Sequence, residues 1–282
     1  KYIQTWHGTP LKKLGLDMDY MDMSGSQNIK RYHDEFKKNS SKWEYLISQN
    51  SYSSEIFKRA FAFNGKMLEI GYPRNDILIN NNNKDYIDQI KSKFNIPKEK
   101  KVILYAPTWR DNEYYEGGKY KFATKMDFDK MKEALSDDFV LIVKYHYLVK
   151  DNIDWKKYDD FIIECDAKWD IQELYLASDI MITDYSSVMF DYAILRRPML
   201  FFTYDLDFYK NSLRDFYFDM LEEVPGPLVE NTGDLVEEIK NLNIEEYEAK
   251  YGEKYNNFQR KYNEFDKGTA SKTVIEMIRD RN

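Results

Sequence analysis

Four short runs set the class of fold. Residues 102–106 (VILYA) are too apolar to alternate, and 139–145 (FVLIVKY), 179–183 (DIMIT) and 199–203 (MLFFT) read as further strands. A strand with one wet face alternates apolar and polar residues, whereas a continuous apolar run of this length reads as a strand buried on both faces. Helix-like segments separate the runs. One starts at Asp127 or Asp129, and others span 170–178 and 186–195. Strands spaced by helices of this length predict an α/β fold, with a parallel sheet covered on both sides. In open sheets of this kind ligands bind beyond the carboxyl ends of the strands. Function is therefore expected just after each apolar run.

The first third follows the same rhythm with shorter elements. Residues 2–6 and 45–49 (YLISQ) read as strands, as do 67–70. Residues 28–38 read as a helix of mixed charge. Ser51 reads as the N-cap of a helix running to about residue 61. A turn, Gly71-Tyr72-Pro73-Arg74-Asn75-Asp76, and an asparagine run at 80–83 lead into a helix ending near Phe94. Pro97 and its charged neighbours then break the chain. A length of 282 residues allows two cores. The division is placed at 97, giving units 1–97 and 98–282, with Gly71 as the earlier alternative. Helices over 232–241, 245–263 and 269–281 close the chain.

Composition excludes several classes. A single cysteine, Cys165, rules out an internal disulfide. No apolar run approaches the roughly 18–20 residues of a membrane span. No Walker loop or dinucleotide glycine fingerprint is present. No signal peptide is expected; the chain opens on Lys1 inside a strand and reads as a piece of something longer. A net charge of −7 argues against nucleic acid as a partner. The charge is uneven, because residues 1–66 hold 11 basic against 7 acidic residues. Such a basic section suits phosphate or an anionic membrane surface, or is an ordinary solvated face.

The strand ends carry a chemically biased set. It comprises His7, Thr108-Trp109-Arg110, His146, Asp184-Tyr185-Ser186-Ser187 and Tyr204-Asp205. The chain has three histidines, and two of them lie here. After Thr183, Ser186 or Ser187 starts a helix whose open N–H groups suit a diphosphate, or is a plain N-cap. Asp191 shares a helix face with Ser187 and reads as a hydroxyl ligand or a surface residue. Arg110 suits a bidentate phosphate clamp, or pairs locally with Asp111. His146 reads as a phosphate donor or acid, or as a packed core residue. Asp205 and Asp207, with Arg214 further on, suit a polyol or ribose, or an aromatic packing loop. His33, in a charged helix, reads as surface. Thr9-Pro10 after His7-Gly8 reads as an N-cap and first helical residue.

QTWHGTPLKKLG, LEIGYPRND, ILYAPTWRD, LIVKYHYLV, DIQELYLASDIMITDYSSVMFDYA, RRPMLFFTYDLDFY, LRDFYFD and PGPLV occur in this order. Together they resemble the CDP-glycerol glycerophosphotransferase family, which includes teichoic acid polymerases and primases and related capsule polymerases. The resemblance implies a GT-B-type fold of two Rossmann-like domains. Because the family carries a long segment ahead of the WHGTP strand, the N-terminal domain is expected to be incomplete here. It also implies a CDP-alditol donor, CDP-glycerol or CDP-ribitol, bound by the C-terminal domain. The acceptor is a lipid-linked polymer met by a peripheral protein at the cytoplasmic face of the membrane. The family's essential histidines map onto His7 and His146.

The reaction expected is attack of an acceptor hydroxyl on the β-phosphorus with loss of CMP. His7 is the base. Arg110, Thr183, Asp184, Ser186, Ser187, Asp191 and Asp205 form the donor side with His146. Gly8, Thr9, Lys12 and Lys13 form the acceptor or membrane side, with Lys30, Arg31, Lys37, Lys38 and Lys42 as further lipid-facing candidates. No metal or cofactor is expected, although Asp205 and Asp207 spell a DxD pair. The other readings are a glycosyltransferase using a nucleotide-sugar and an inactive nucleotide-binding fragment.

Overall fold

A computed structural model describes residues 1–19, 29–108, 125–144, 153–165, 168–206 and 216–280. Two parallel sheets organise them. The first contains β1 (Ile3–Gln4), β2 (Tyr45–Ser48) and β3 (Lys66–Glu69), in that order. The second contains β4 (Lys101–Tyr105), β5 (Phe139–Val143), β6 (Ile162–Glu164), β7 (Ile180–Thr183), β8 (Met199–Phe202) and β9 (Leu228–Val229). Its order is β6-β5-β4-β7-β8-β9, with every pairing parallel. The chain runs outward from β4 through β6, then returns to β7 and runs the other way. That reversal is the dinucleotide-fold order, and it opens a crevice at the carboxyl ends of β4 and β7.

The apolar runs behave as their composition dictates. Val102, Leu104, Ile142, Met181, Met199 and Phe201 pack into one core. Their alternates Ile103, Tyr105, Leu141, Ile180, Ile182, Leu200 and Phe202 pack into a second core on the opposite face. The helices are α1 (Ile29–Ser40), α2 (Ser51–Ala60), α3 (Asp76–Asn80), α4 (Lys84–Lys93), α5 (Phe128–Leu135) and α6 (Ile171–Ala177). They continue with α7 (Val188–Tyr192), α8 (Met220–Glu223), α9 (Thr232–Lys240), α10 (Ile244–Tyr262) and α11 (Ala270–Arg279). The first core takes apolar faces of α3, α4, α6, α7 and α10, through Leu78, Ile90, Leu174, Phe190 and Phe258 among others. The second takes α5 and α9, through Met131, Leu135, Leu235 and Ile239.

Leu78, Ile90, Phe94 and Ile96, on the N-terminal side of the expected division at 97, share the core of the six-stranded sheet. Val274 and Met277 of α11 return to the first sheet and pack against Ile47, Leu68 and Tyr72. Lys98 and Glu99, next to Pro97, lie exposed in the loop before β4.

Local details differ too. β1 is two residues long because Trp6 takes a left-handed conformation, φ 54°, which ends the strand. No helix follows HGTP. Instead Lys12 makes an antiparallel bridge to Phe216, and Gly15–Asp17 forms a single 3₁₀ turn. Asn50, not Ser51, caps α2, its side chain accepting from the Ser53 N–H. Asp127 rather than Asp129 caps α5. The helix expected over 186–195 is a five-residue α7 continued by a 3₁₀ turn, Ala193–Leu195. Among the described residues no helix is long and apolar enough to cross a membrane.

Candidate active site

The crevice of the six-stranded sheet is built by hydrogen bonds between the two strand exits. Thr183 Oγ1 donates to the Ala106 carbonyl at 2.8 Å, and the Thr108 N–H donates to Asp184 Oδ1 at 2.8 Å. Both side chains, Thr183 and Asp184, are buried. They therefore fix the crevice floor and the start of the segment that leads to Arg110. Thr183, expected as a donor ligand, spends its hydroxyl on the neighbouring strand. Tyr185 donates from its hydroxyl to Asp205 Oδ1 at 3.0 Å and stacks on Phe216, which holds Asp205 near the same exit. Ser187 stands at the start of α7 and makes no side-chain capping bond there. Arg110, His146, Asp207 and Arg214 lie outside the described residues.

The first sheet brings His7 to this crevice. The left-handed Trp6 turns the chain and stacks its indole on the His7 ring, centroids 4.4 Å apart. Partial burial, and then the nearby Arg74 charge, hold the His7 imidazole below its ordinary pKa. Gly8 comes next and is buried. A Cβ there would lie 3.2 Å from Ser187 Oγ and 3.9 Å from Arg74 Nη2. A larger residue at this point would crowd the Ser187 side chain at the second sheet, so the glycine lets the loop lie close against it. Thr9 is buried too: its hydroxyl donates to Gln49 Oε1 at 2.8 Å and accepts from Asn50 Nδ2 at 2.9 Å. It holds the loop to the exit of β2 instead of capping a helix. Lys12 is engaged through its backbone bridge to Phe216, and Lys13 pairs with Asp19 at 3.5 Å.

Arg74 and Asp266, given no functional role in the sequence, complete the junction. Arg74, in the turn after β3, donates from Nε and Nη2 to Asp191 Oδ2 at 3.0 and 2.8 Å. Asp191 Oδ1 accepts from Asn75 Nδ2 at 2.8 Å and Gln49 Nε2 at 3.3 Å. Asp191 is thus buried rather than on the surface, and its oxygens accept from Arg74, Asn75 and Gln49. Asp266, after α10, accepts from Gln49 Nε2 at 2.7 Å, and burial pushes its carboxyl up to about 6. The turn GYPRND is itself a strand exit, and the rule that flagged His7 would have flagged Arg74. Its partner lies 117 residues on, beyond any local pattern. His33, expected on the surface, is half-buried with Nε2 3.0 Å from the Met18 carbonyl. Among the described residues no three His, Cys, Asp or Glu side chains gather as a metal site would require.

Two parallel sheets whose strand exits meet across a polar junction define a GT-B-type architecture. The comparisons with known proteins agree. The family model described as CDP-Glycerol:Poly(glycerophosphate) glycerophosphotransferase matches residues 1–280, and the chain belongs to that family. The chain is 48% identical over 277 residues to a teichoic acid poly(glycerol phosphate) polymerase of Bacillus subtilis, covering 98% of this chain and 37% of that protein. It is 47% identical over 279 residues to a teichoic acid glycerol-phosphate transferase of Staphylococcus aureus, covering 98% and 70%. The solved structure of the wall teichoic acid polymerase TagF superposes with a TM-score of 0.91 at 46% identity, covering 99% of this chain and 68% of that one. The chain thus spans little more than a third of the Bacillus subtilis polymerase.

Proposed function

We propose that the chain carries the transfer site of an enzyme that moves glycerol phosphate, or ribitol phosphate, from a CDP-alditol to a hydroxyl of a lipid-linked polymer. The acceptor hydroxyl oxygen attacks the β-phosphorus. The bond from that phosphorus to the bridging oxygen breaks and CMP leaves, while the hydroxyl proton passes to His7. Little covalent chemistry is asked of the protein, so positioning and electrostatics do most of the work. His7 has the right intrinsic basicity, and its lowered pKa keeps it neutral and able to accept a proton at neutral pH. Ser186 and Ser187, with Arg110 and His146 from the strand-exit set, would hold the diphosphate. Asp184 supports the crevice from beneath.

The observation that supports this reading is the closeness of the His7-Gly8 loop to Ser187, since a Cβ on Gly8 would lie 3.2 Å from its hydroxyl. A two-sided transfer needs a histidine on the first sheet within reach of the crevice of the second. The reading assigns no cofactor, since the CDP-alditol is a substrate. Attachment to the membrane would be peripheral, at the cytoplasmic face, with Lys37, Lys38 and Lys42 on or beside α1 as headgroup contacts. A donor screen tests the proposal. The chain, with a membrane acceptor supplied, is expected to release CMP from CDP-glycerol or CDP-ribitol and no UDP from UDP-sugars. UDP release without CMP release would overturn it.

A further inference from the structure

Residues 216–218 are shared between the two sheets. Phe216 and Phe218 pack into a core of the six-stranded sheet. Tyr217, between them, packs instead into the aromatic core of the first sheet, which holds Trp43, Phe57 and Phe61. The backbone is tied across as well. Phe216 bridges Lys12, and the Tyr217 N–H donates to the Leu11 carbonyl at 2.9 Å. The Tyr217 hydroxyl donates to Asp17 Oδ2 at 2.7 Å and accepts from the Leu14 N–H at 3.3 Å. Asp17 is itself oriented, because Arg59 of α2 donates from Nε to both its oxygens at 3.0 Å and from Nη2 to Oδ2 at 2.7 Å. On the other side Phe216 stacks on Tyr185, with centroids 5.9 Å apart, and Tyr185 donates to Asp205 at the exit of β8. Three residues therefore touch both the loop that follows His7 and the strand exits of the second sheet.

We propose that Tyr217 is a positioning residue for the acceptor: with Phe216 and Phe218 it forms a strap that holds residues 8–17 in register with the β4–β7 crevice. The proposal rests on the reading of Gly8, Thr9, Lys12 and Lys13 as the acceptor side. A loop that is already ordered adds no ordering cost to binding, whereas one that is competent in only a fraction of molecules weakens binding by that fraction. The bond to Asp17 is charge-assisted, the stronger kind, and the bidentate Arg59 keeps the carboxylate from turning away. The donor is held at the β4–β7 exits and not by this loop. The strap therefore acts on one substrate and spares the other.

Tyr217→Phe tests this, since it removes the hydroxyl and keeps the packing. Hydrogen exchange followed by NMR reads the strap without any substrate. The amide of residue 217, bonded to Leu11, and that of Asp17, bonded to the Leu14 carbonyl at 3.1 Å, should exchange about tenfold faster or more. The Ala106 amide, bonded to the Ile182 carbonyl, should keep its rate. In turnover, the KM for a lipid-linked oligo(glycerol phosphate) acceptor should rise roughly three- to tenfold while that for CDP-glycerol stays within about twofold. Asp17→Asn keeps the shape and drops the charge; Arg59, 60% accessible, is not stranded by it. It should raise the same KM by less, and it gives the same reading if Tyr217→Phe does not fold. A merely structural role would lower thermal stability and leave the two KM values in their original ratio. Unchanged exchange at residues 17 and 217, or an unchanged KM ratio in the folded variant, overturns the inference. If exchange quickens while the wild type releases no CMP, the transfer reading falls and the strap stands.

Discussion

The two sheets reach the same junction by different physics. The six-stranded sheet is held by apolar packing on both faces, each strand sharing its residues between two cores. The exits of the three-stranded sheet are held by polar side chains: Thr9, Gln49, Asn50 and Arg74 bond to one another or across to Asp191 and Asp266. Apolar packing tolerates substitution of similar volume, whereas a buried polar network is specific only while every partner is present. The β4–β7 crevice thus sits on a robust frame. The histidine that must meet it is placed by directional bonds, each of which fixes an angle as well as a distance.

That contrast can be broken in several ways. The largest expected effect is on chemistry. His7→Ala should lower CMP release about 10²- to 10⁴-fold, as loss of a general base does, with little change in thermal stability because the ring, although crowded on one side by Trp6, keeps a face open to solvent. Next is the junction. Asp191→Ala leaves Arg74 without its counter-charge, and denaturant titration should show a loss of about 2–4 kcal/mol. That lies toward or below the roughly 3–5 kcal/mol of a fully buried pair, since Arg74 keeps 30% of its side chain accessible. Adding Arg74→Gln to that variant should recover part of the loss. If it recovers none, the junction is held by packing and the contrast fails.

A core truncation sharpens the other side. Leu104→Ala, at a fully buried position in β4, should cost about 2–4 kcal/mol with no charge-neutral rescue. The smallest effect is on pH dependence. Burial raises the Asp266 carboxyl to about 6 in the folded chain, above its unfolded value near 3.9. The folded state then binds more protons than the unfolded one between those values. Its contribution is present below about pH 4 and is lost as pH rises through 6. Stability measured by urea titration should therefore fall across that window in the wild type, relative to Asp266→Asn. Parallel curves for the two proteins would remove Asp266 from the account.

Much of the six-stranded sheet was readable because its signal is local. VILYA, FVLIV, IMIT and MLFF are buried strands by composition alone, and Asp184, Ser187 and Asp205 stand within a few residues of their carboxyl ends. The His7 exit was readable for the same reason. What was hidden depends on distance or on a single backbone angle. The helical pattern of α4 says that the segment is a helix but not which sheet it covers, and α3 was hidden in the turn expected before it. The chain turns at a left-handed Trp6 after β1, and a tryptophan carries no sequence preference for that conformation; a 3₁₀ turn at Gly15–Asp17 stands where a helix was expected after HGTP. Asp191 looks like any helical aspartate until Arg74, far away in the chain, is folded against it. Arg110 and His146, both expected at strand ends, lie outside the described residues.

The central claim is that His7 and the β4–β7 crevice act on the same phosphorus. A crystal structure of the chain with CDP-glycerol bound tests it most directly. The account predicts the diphosphate at the exits of β4 and β7, beside Ser187, with the β-phosphorus separated from the His7 ring by space for one attacking hydroxyl. A diphosphate bound away from Ser187, or one with protein packed between it and His7, would contradict it.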